Sequence, residues 1–217
     1  MTDYAQARKT MVDNQLRTSG ITDRRLLAAM GEVPREEFVP AARESLAYID
    51  EAHRLSATRK LGPPAPFAKL VQLAAVEHTD HVLDVGCATG YSTAVLAKLA
   101  ASVVGIDDDA ALAAKARSSL AALGAGNATI ADGALTDAGR AAGPYDVVVI
   151  EGSVPAVPDE LFAQLKPEGR LVAVIAEKGR VPVARLYAKS GKGLASRADF
   201  DARLPPLMTP PADSFVF

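Results

Sequence analysis

Four acidic residues, Asp84, Asp107, Asp132 and Glu151, each stand at or just past the end of a short apolar run. Carboxylates repeated at strand ends can accept from hydroxyls, amines and ammonium groups. The first run, Val82 to Val85, opens into Gly86-Cys87-Ala88-Thr89-Gly90-Tyr91 and then a helix from Ser92 to Leu99. A tight strand-to-helix turn needs glycine for backbone angles closed to other residues and for close approach of a ligand to the main chain. Gly86 and Gly90 meet that need, with Ala88 the next smallest choice between them. A dinucleotide turn would carry glycine where this chain has Tyr91, and Asp84 would repel a pyrophosphate. The same carboxylate suits the ammonium of an amino-acid moiety, such as that of S-adenosylmethionine.

Asp107 lies 23 residues after Asp84, at the distance from which a carboxylate can take both ribose hydroxyls. Asp132 is placed to accept from an adenine amine. The candidate cofactor residues are therefore Asp84, Gly86, Cys87, Ala88, Gly90, Tyr91, Ser92, Asp107, Asp108, Asp132, Gly133 and Glu151, although Asp108 and Asp109 also read as helix caps. Methyl transfer from a sulfonium is an in-line displacement that asks mainly for proximity and orientation. A carboxylate acceptor is already ionised at neutral pH and needs no base; for a phenol, amine or thiol, Glu151 is the candidate base. Cys87 lacks a His or Cys partner and reads as a packing residue, so no metal is expected. His78 and His81 precede the first strand, at the end away from such a site, and His53 falls in an unpatterned stretch.

The elements that must hold these residues follow from periodicity. Residues 4 to 19 have helical spacing behind Thr2 and Asp3 as caps and stop at Gly20; a second helix runs from Asp23 to about Met30, capped by Thr22. A short helical turn lies between Pro34 and Pro40, and 48 to 61 reads as an arm without periodicity. The stiff Gly62-Pro63-Pro64-Ala65-Pro66 leads into a helix through Phe67, Leu70, Val71 and Ala74. From residue 81 strands and helices alternate, which predicts a parallel sheet covered on both faces. Its strands are 82–85, 103–106, 128–131, 146–150 and 171–175, with helices following Asp109 and spanning 159–166. From Ala184 to Leu204 the period becomes two, which predicts an antiparallel pair closing the sheet edge. A Pro-rich tail runs from Pro205 to Pro211.

With 217 residues and 49% hydrophobic content the chain can bury one sizeable core. The division expected is a helical extension and substrate arm over 1–66 and a cofactor domain over 67–217. A net charge of −2 with scattered Lys and Arg gives no electrostatic footprint for nucleic acid or an anionic membrane. No apolar run reaches the roughly 20 residues that span a bilayer, and no export segment is evident, so a cytoplasmic protein is expected.

The chain resembles the protein-L-isoaspartate O-methyltransferase family, which methylates the stray carboxylate of isomerised aspartyl residues for repair. The likeness runs through Met11-Val12, Gln15-Leu16, Ile21 with Asp23, Ala29-Met30, Val33-Pro34-Arg35-Glu36, Phe38-Val39-Pro40 and Ala47-Tyr48. It continues through Thr89-Gly90-Tyr91, Asp132-Gly133, Pro144-Tyr145-Asp146, Gln164 to Pro167 and Gly169 to Val172. The resemblance implies an α/β, Rossmann-like, seven-stranded mixed sheet of the class I S-adenosylmethionine-dependent methyltransferase type, with S-adenosylmethionine as cofactor and a protein or peptide carboxylate as acceptor.

Two departures touch the substrate side. The family's Gly-x-Thr-Ile-Ser-x-Pro segment aligns on Pro66 with Gly62 in place of the Thr and Pro64 in place of the Ser, so both hydroxyls are gone. Where the family has Thr-Ala-Ala, this chain has Glu151-Gly152-Ser153, whose carboxylate would repel an acidic acceptor. Arg59 and Lys60, just upstream, could draw a carboxylate in from another direction. Isoaspartyl methylation is expected to be absent or very weak. The alternatives are a methyltransferase for another small or protein acceptor and a non-catalytic cofactor-binding sensor.

Overall fold

The computed structural model describes residues 3–137 and 140–208. The Thr2 cap and the tail beyond Met208 lie outside those residues. Two residues of the arm on each side form a small antiparallel hairpin, β1 (His53–Arg54) and β2 (Lys60–Leu61). The main sheet comprises β3 (His81–Val85), β4 (Ser102–Asp107), β5 (Ala128–Asp132), β6 (Tyr145–Val154), β7 (Leu165–Ile175), β8 (Val183–Ser190) and β9 (Gly193–Asp201). Its order is β5-β4-β3-β6-β7-β8-β9. The first five strands of that row run parallel, and β8 and β9 close the edge antiparallel, as the switch of period required.

Both faces of the inner parallel strands β3, β4, β6 and β7 are buried, and alternate residues serve two different cores. Val82, Val103, Val147, Val149 and Val172 face a cluster built with Met11, Leu16, Leu26, Met30, Phe38, Phe67 and Leu70. Leu83, Val85, Val104, Ile106, Val148 and Ile150 face a second cluster closed by Leu135, Leu161, Leu165 and Leu207. The N-terminal segments are thus packed directly on one face of the sheet.

The helices are α1 (Tyr4–Met11), α2 (Arg24–Glu32), α3 (Pro64–Ala74), α4 (Tyr91–Ala97), α5 (Ala110–Ala122) and α6 (Asp159–Ala163). Several boundaries differ from the sequence expectation for local reasons. After α1, capped by Asp3, the chain widens into a π-turn over Val12–Leu16, which buries Val12 and Leu16 together with Met11. Asp23, not Thr22, caps α2: its carboxylate accepts from the amides of Arg25 and Leu26 at 2.8 and 3.2 Å. The Thr22 amide instead donates to Gln72 Oε1 at 2.7 Å. α3 begins at Pro64 because a proline in the first helical turn removes an N–H that has no partner there. α6 stops at Ala163, where Gln164 turns its carbonyl to the Tyr145 amide at 2.8 Å and starts the β6–β7 pairing.

β6 extends past Ile150 to Val154, but its register against β7 slips between Val149 and Ser153. Such a bulge re-aims side chains at the rim of a sheet, and the residues it carries here are Glu151 and Gly152. Among the described residues no helix is long and apolar enough to cross a membrane.

Candidate active site

The chain goes from β3 outward to β4 and β5, then returns to the other side of β3 with β6. Ligands in open parallel sheets bind outside the carboxyl ends of the strands at such a switch point. Here it is floored by the Gly86–Gly90 loop. Gly86, Ala88 and Gly90 all have positive φ, at 82°, 49° and 92°. The amides of Gly86 and Cys87 both donate to the Ile106 carbonyl, at 2.8 and 3.0 Å, which bends the loop over the end of β4. Thr89 Oγ1 donates to the Phe38 carbonyl at 2.7 Å and ties the loop to the N-terminal extension.

Asp84 is fully buried. Its Oδ2 accepts from Ser92 Oγ at 2.7 Å and Thr93 Oγ1 at 2.5 Å, and its Oδ1 has no partner. Burial raises its pKa to about 7, against the pull of the two hydroxyls, and nearby Asp107 adds to the rise. Glu151 Oε1 is likewise buried and unpartnered. Its pKa lies well above the usual carboxylate range, chiefly from burial and then from Asp84, with Arg35 opposing. The rise favours the neutral acid, which weakens the repulsion of an acidic acceptor expected from the sequence.

Asp107 is 1% exposed. Oδ2 accepts from the Ala88 amide at 3.0 Å, and Oδ1 from the Asp109 amide at 2.9 Å and from Arg59 Nε at 3.2 Å. Arg59 Nη2 also pairs with Asp108, and Nη1 donates to the Leu207 carbonyl at 3.4 Å. Asp108 is thus an ion-pair partner, and Asp109 alone is the cap of α5. Beside this cluster lies a cavity of about 570 Å³, bordered by Arg59, Lys60, Asp108, Leu135, Pro206 and Met208.

The structure does not bring every expected residue to this seat. Asp132 pairs in register with Asp107 but sits on the edge strand, exposed, with Oδ1 2.6 Å from Arg117 Nη2. Gly133 beside it has φ 126° and is exposed. Tyr91 turns toward the extension: its ring lies 5.6 Å from Phe38 and 5.9 Å from Phe67, with the Arg35 guanidinium 4.7 Å from its centroid. Cys87 is buried, its thiol pKa pushed up by burial, as a packing residue would be. His81 bonds Ser102 Oγ and the Ala142 carbonyl at the far end of β3. Among the described residues no group of three His, Cys, Asp or Glu could hold a metal.

Three participants had no clear sequence signal. Arg35 is fully buried and donates to the carbonyls of Ala47 at 2.8 Å and Gly62 at 2.5 Å, with Nη1 left unpartnered. His53 is 3% exposed, its Nε2 also lacks a partner, and burial together with Arg35 lowers its pKa. Leu207 lies over the glycine loop: Cδ1 would stand 2.5 Å from a Cβ on Gly86, and its Cβ 2.6 Å from one on Gly152.

An amino-acid ammonium would satisfy the orphaned Asp84 Oδ1, and the glycine floor admits a ligand against the main chain. The donor set fits S-adenosylmethionine, although Asp107, the carboxylate expected at the ribose, holds Arg59. Sheet order, glycine loop and acidic strand ends together define a Rossmann-like protein of the class I S-adenosylmethionine-dependent methyltransferase type. Residues 6–204 match the family described as protein-L-isoaspartate(D-aspartate) O-methyltransferase (PCMT), and the chain belongs to that family.

Relatives named protein-L-isoaspartate O-methyltransferase include one from Koribacter versatilis, 35% identical over 96% of this chain and 93% of its own length. Another, from Methylorubrum extorquens, is 38% identical over 90% of this chain and 85% of its own. A solved protein-L-isoaspartate O-methyltransferase superposes with a TM-score of 0.80 at 24% identity, covering 93% of this chain, which spans 66% of that one. A putative one from Plasmodium falciparum, solved with S-adenosyl-L-homocysteine, gives 0.76 at 18% identity over 96% of this chain and 99% of that one.

Proposed function

We propose that this chain is an S-adenosylmethionine-dependent O-methyltransferase that esterifies a carboxylate on a protein or peptide, the acceptor for which its relatives are named being the isoaspartyl residue. The observation that carries the reading is Asp84, a buried carboxyl with two hydroxyls on one oxygen, none on the other, and a glycine loop alongside. When bound, the cofactor supplies the methyl group on a sulfonium leaving group. Asp84 would hold the ammonium and Asp107 the ribose hydroxyls; Asp132, once parted from Arg117, would take the adenine amine.

The remaining residues orient and exclude water. An ionised carboxylate needs no proton removed, so this acceptor asks for no general base. Burial raises the Glu151 pKa, which lessens its repulsion of an anion nearby, and the buried Arg35 guanidinium, which opposes that rise, adds a positive charge. Gly62 and Pro64 offer no hydroxyl, and Pro63 and Pro64 remove two amides from the same segment. Each hydrogen bond lost to a charged carboxylate costs about 1.5–3 kcal/mol, so turnover on isoaspartyl peptides falls by orders of magnitude. The reading places the chain in the cytoplasm with no nucleic-acid or membrane partner. The second reading, a cofactor-binding sensor, is favoured by one observation, the Arg59 side chain lodged on Asp107.

The test is methyl transfer from labelled cofactor to matched isoaspartyl and aspartyl peptides. Slow ester formation confined to the isoaspartyl peptide is expected. Robust turnover there would show that the missing hydroxyls are not needed. No ester on either peptide, with S-adenosylhomocysteine still binding, would move the function to another acceptor or to the sensor.

A further inference from the structure

Arg59 and Leu207 reach the cofactor seat from two segments far apart in sequence, and they touch each other there. Arg59 comes from the β1–β2 hairpin, whose turn is fixed by the Leu55 and Ser56 amides donating to the Arg59 carbonyl at 3.0 and 3.2 Å. Its guanidinium is 7% exposed and bridges Asp107 and Asp108. Leu207 comes from the C-terminal segment, which lies beside the bulge of β6. The Ser153 amide donates to the Pro205 carbonyl at 2.9 Å, and the Leu207 amide donates to the Ser153 carbonyl at 3.0 Å. Pro205 and Pro206 have no N–H, and the segment is tied by these two bonds and by the Arg59–Leu207 contact.

Gly86 of the loop and Gly152 of β6 have no side chain, and Leu207 fills the volume both leave open. A ligand lying against the Gly86 main chain cannot share that space with the leucine. Two hydroxyls on Asp107 cannot share its carboxylate with the Arg59 guanidinium, since its oxygens already accept from the Ala88 and Asp109 amides.

We infer that Arg59 and the segment 205–207 form an internal closure of the cofactor seat, and that the cofactor binds only by displacing both. The inference rests on the cofactor reading given above. The closed arrangement leaves the Oδ1 of Asp84 and Oε1 of Glu151 buried without partners, whereas a segment tied by few bonds is poised to leave. Because only the open population binds, the apparent affinity is the intrinsic one multiplied by the open fraction.

The experiment is calorimetric titration of S-adenosylhomocysteine into the full chain, Arg59→Met and Leu207→Ala, with folding of each checked by circular dichroism. Each substitution is expected to tighten binding at least tenfold. Hydrogen exchange on the unmodified chain gives a second readout: the Leu207 and Ser153 amides, protected without ligand, are expected to exchange faster once S-adenosylhomocysteine is added. Unchanged or weaker binding in both variants, or protection that persists with ligand, overturns the closure while leaving the cofactor reading intact. Failure of S-adenosylhomocysteine to bind the chain or either variant overturns both.

Discussion

Replacing Gly105 by alanine tests how tightly the buried core of the sheet sets the site. Gly105 lies in β4, next to Asp84 of β3 in register. A Cβ there would stand 2.6 Å from Thr93 Oγ1, 2.8 Å from Ile130 Cδ1 and 3.1 Å from Cys87 Sγ. Thr93 is fully buried and β-branched, so it cannot swing aside freely, and its hydroxyl is the one that bonds Asp84 at 2.5 Å. Overpacking costs about 1–3 kcal/mol, and a displaced hydrogen bond to a buried carboxyl adds about 1–3. A loss of roughly 2–6 kcal/mol is expected, or a fall in Tm of about 4–24 °C for a chain of this size. Denaturant unfolding of Gly105→Ala would be compared with Gly126→Ala, where a Cβ meets nothing within 4 Å. Because the two residues collide, Gly105→Ala and Thr93→Ala should be non-additive, the double variant losing less than the sum of the two although the Ile130 and Cys87 contacts remain. A loss below about 0.5 kcal/mol for Gly105→Ala, within the range of ordinary surface changes, would refute the reasoning.

Three further outcomes are expected. In an Arg59→Met background, where the competing pair is gone, Asp107→Asn should weaken S-adenosylhomocysteine binding by about 1.5–3 kcal/mol; affinity within twofold would remove Asp107 from the ribose. Glu151→Ala should alter ester formation while leaving that affinity nearly intact, and a change in affinity alone would make Glu151 a cofactor ligand instead. The third concerns pH. A ligand ammonium pairs with ionised Asp84, whose pKa without ligand is raised to about 7, so binding should be about tenfold weaker at pH 6 than at pH 8 and level off above that. A flat calorimetric profile would count against the ammonium assignment. For the ligand-free fold the sign is opposite: a raised carboxyl pKa means the native state holds the proton longer, so this group's contribution to stability falls as pH rises from 3.8 to about 7.

The loop and strand ends were legible because their signals are local. Gly86 and Gly90 mark a turn that other residues enter with strain, and apolar runs ending in Asp84 and Asp107 give both the strands and the side to which their carboxylates project. Asp132 obeyed the same strand-end rule, but β5 is the sheet edge, so its carboxylate met solvent and Arg117; strand order is a non-local property. The place of Tyr91 after the turn points to the cofactor, yet its ring packs on Phe38 and Phe67 from distant segments. Arg59 and Leu207 were least legible. The sequence offers Arg59 as a lure for an acceptor carboxylate, but it holds the chain's own Asp107 and Asp108, and a leucine in a proline-rich tail carries no periodicity. Glu151 was visible as a strand-end acid, but its charge state depends on burial and on Asp84, which only the packed structure supplies.

The burial of Cys87 within the loop makes this chain unusually quiet to optical and chemical labels. It is the only thiol in the sequence, which also lacks tryptophan, and its pKa is pushed up by burial so that little thiolate is available to a reagent. A single cysteine placed at exposed Lys60, on the wall of the cavity beside Arg59, would therefore take a dye without background from the native residue. Opening and closing of the seat could then be followed as a time course in otherwise unmodified protein.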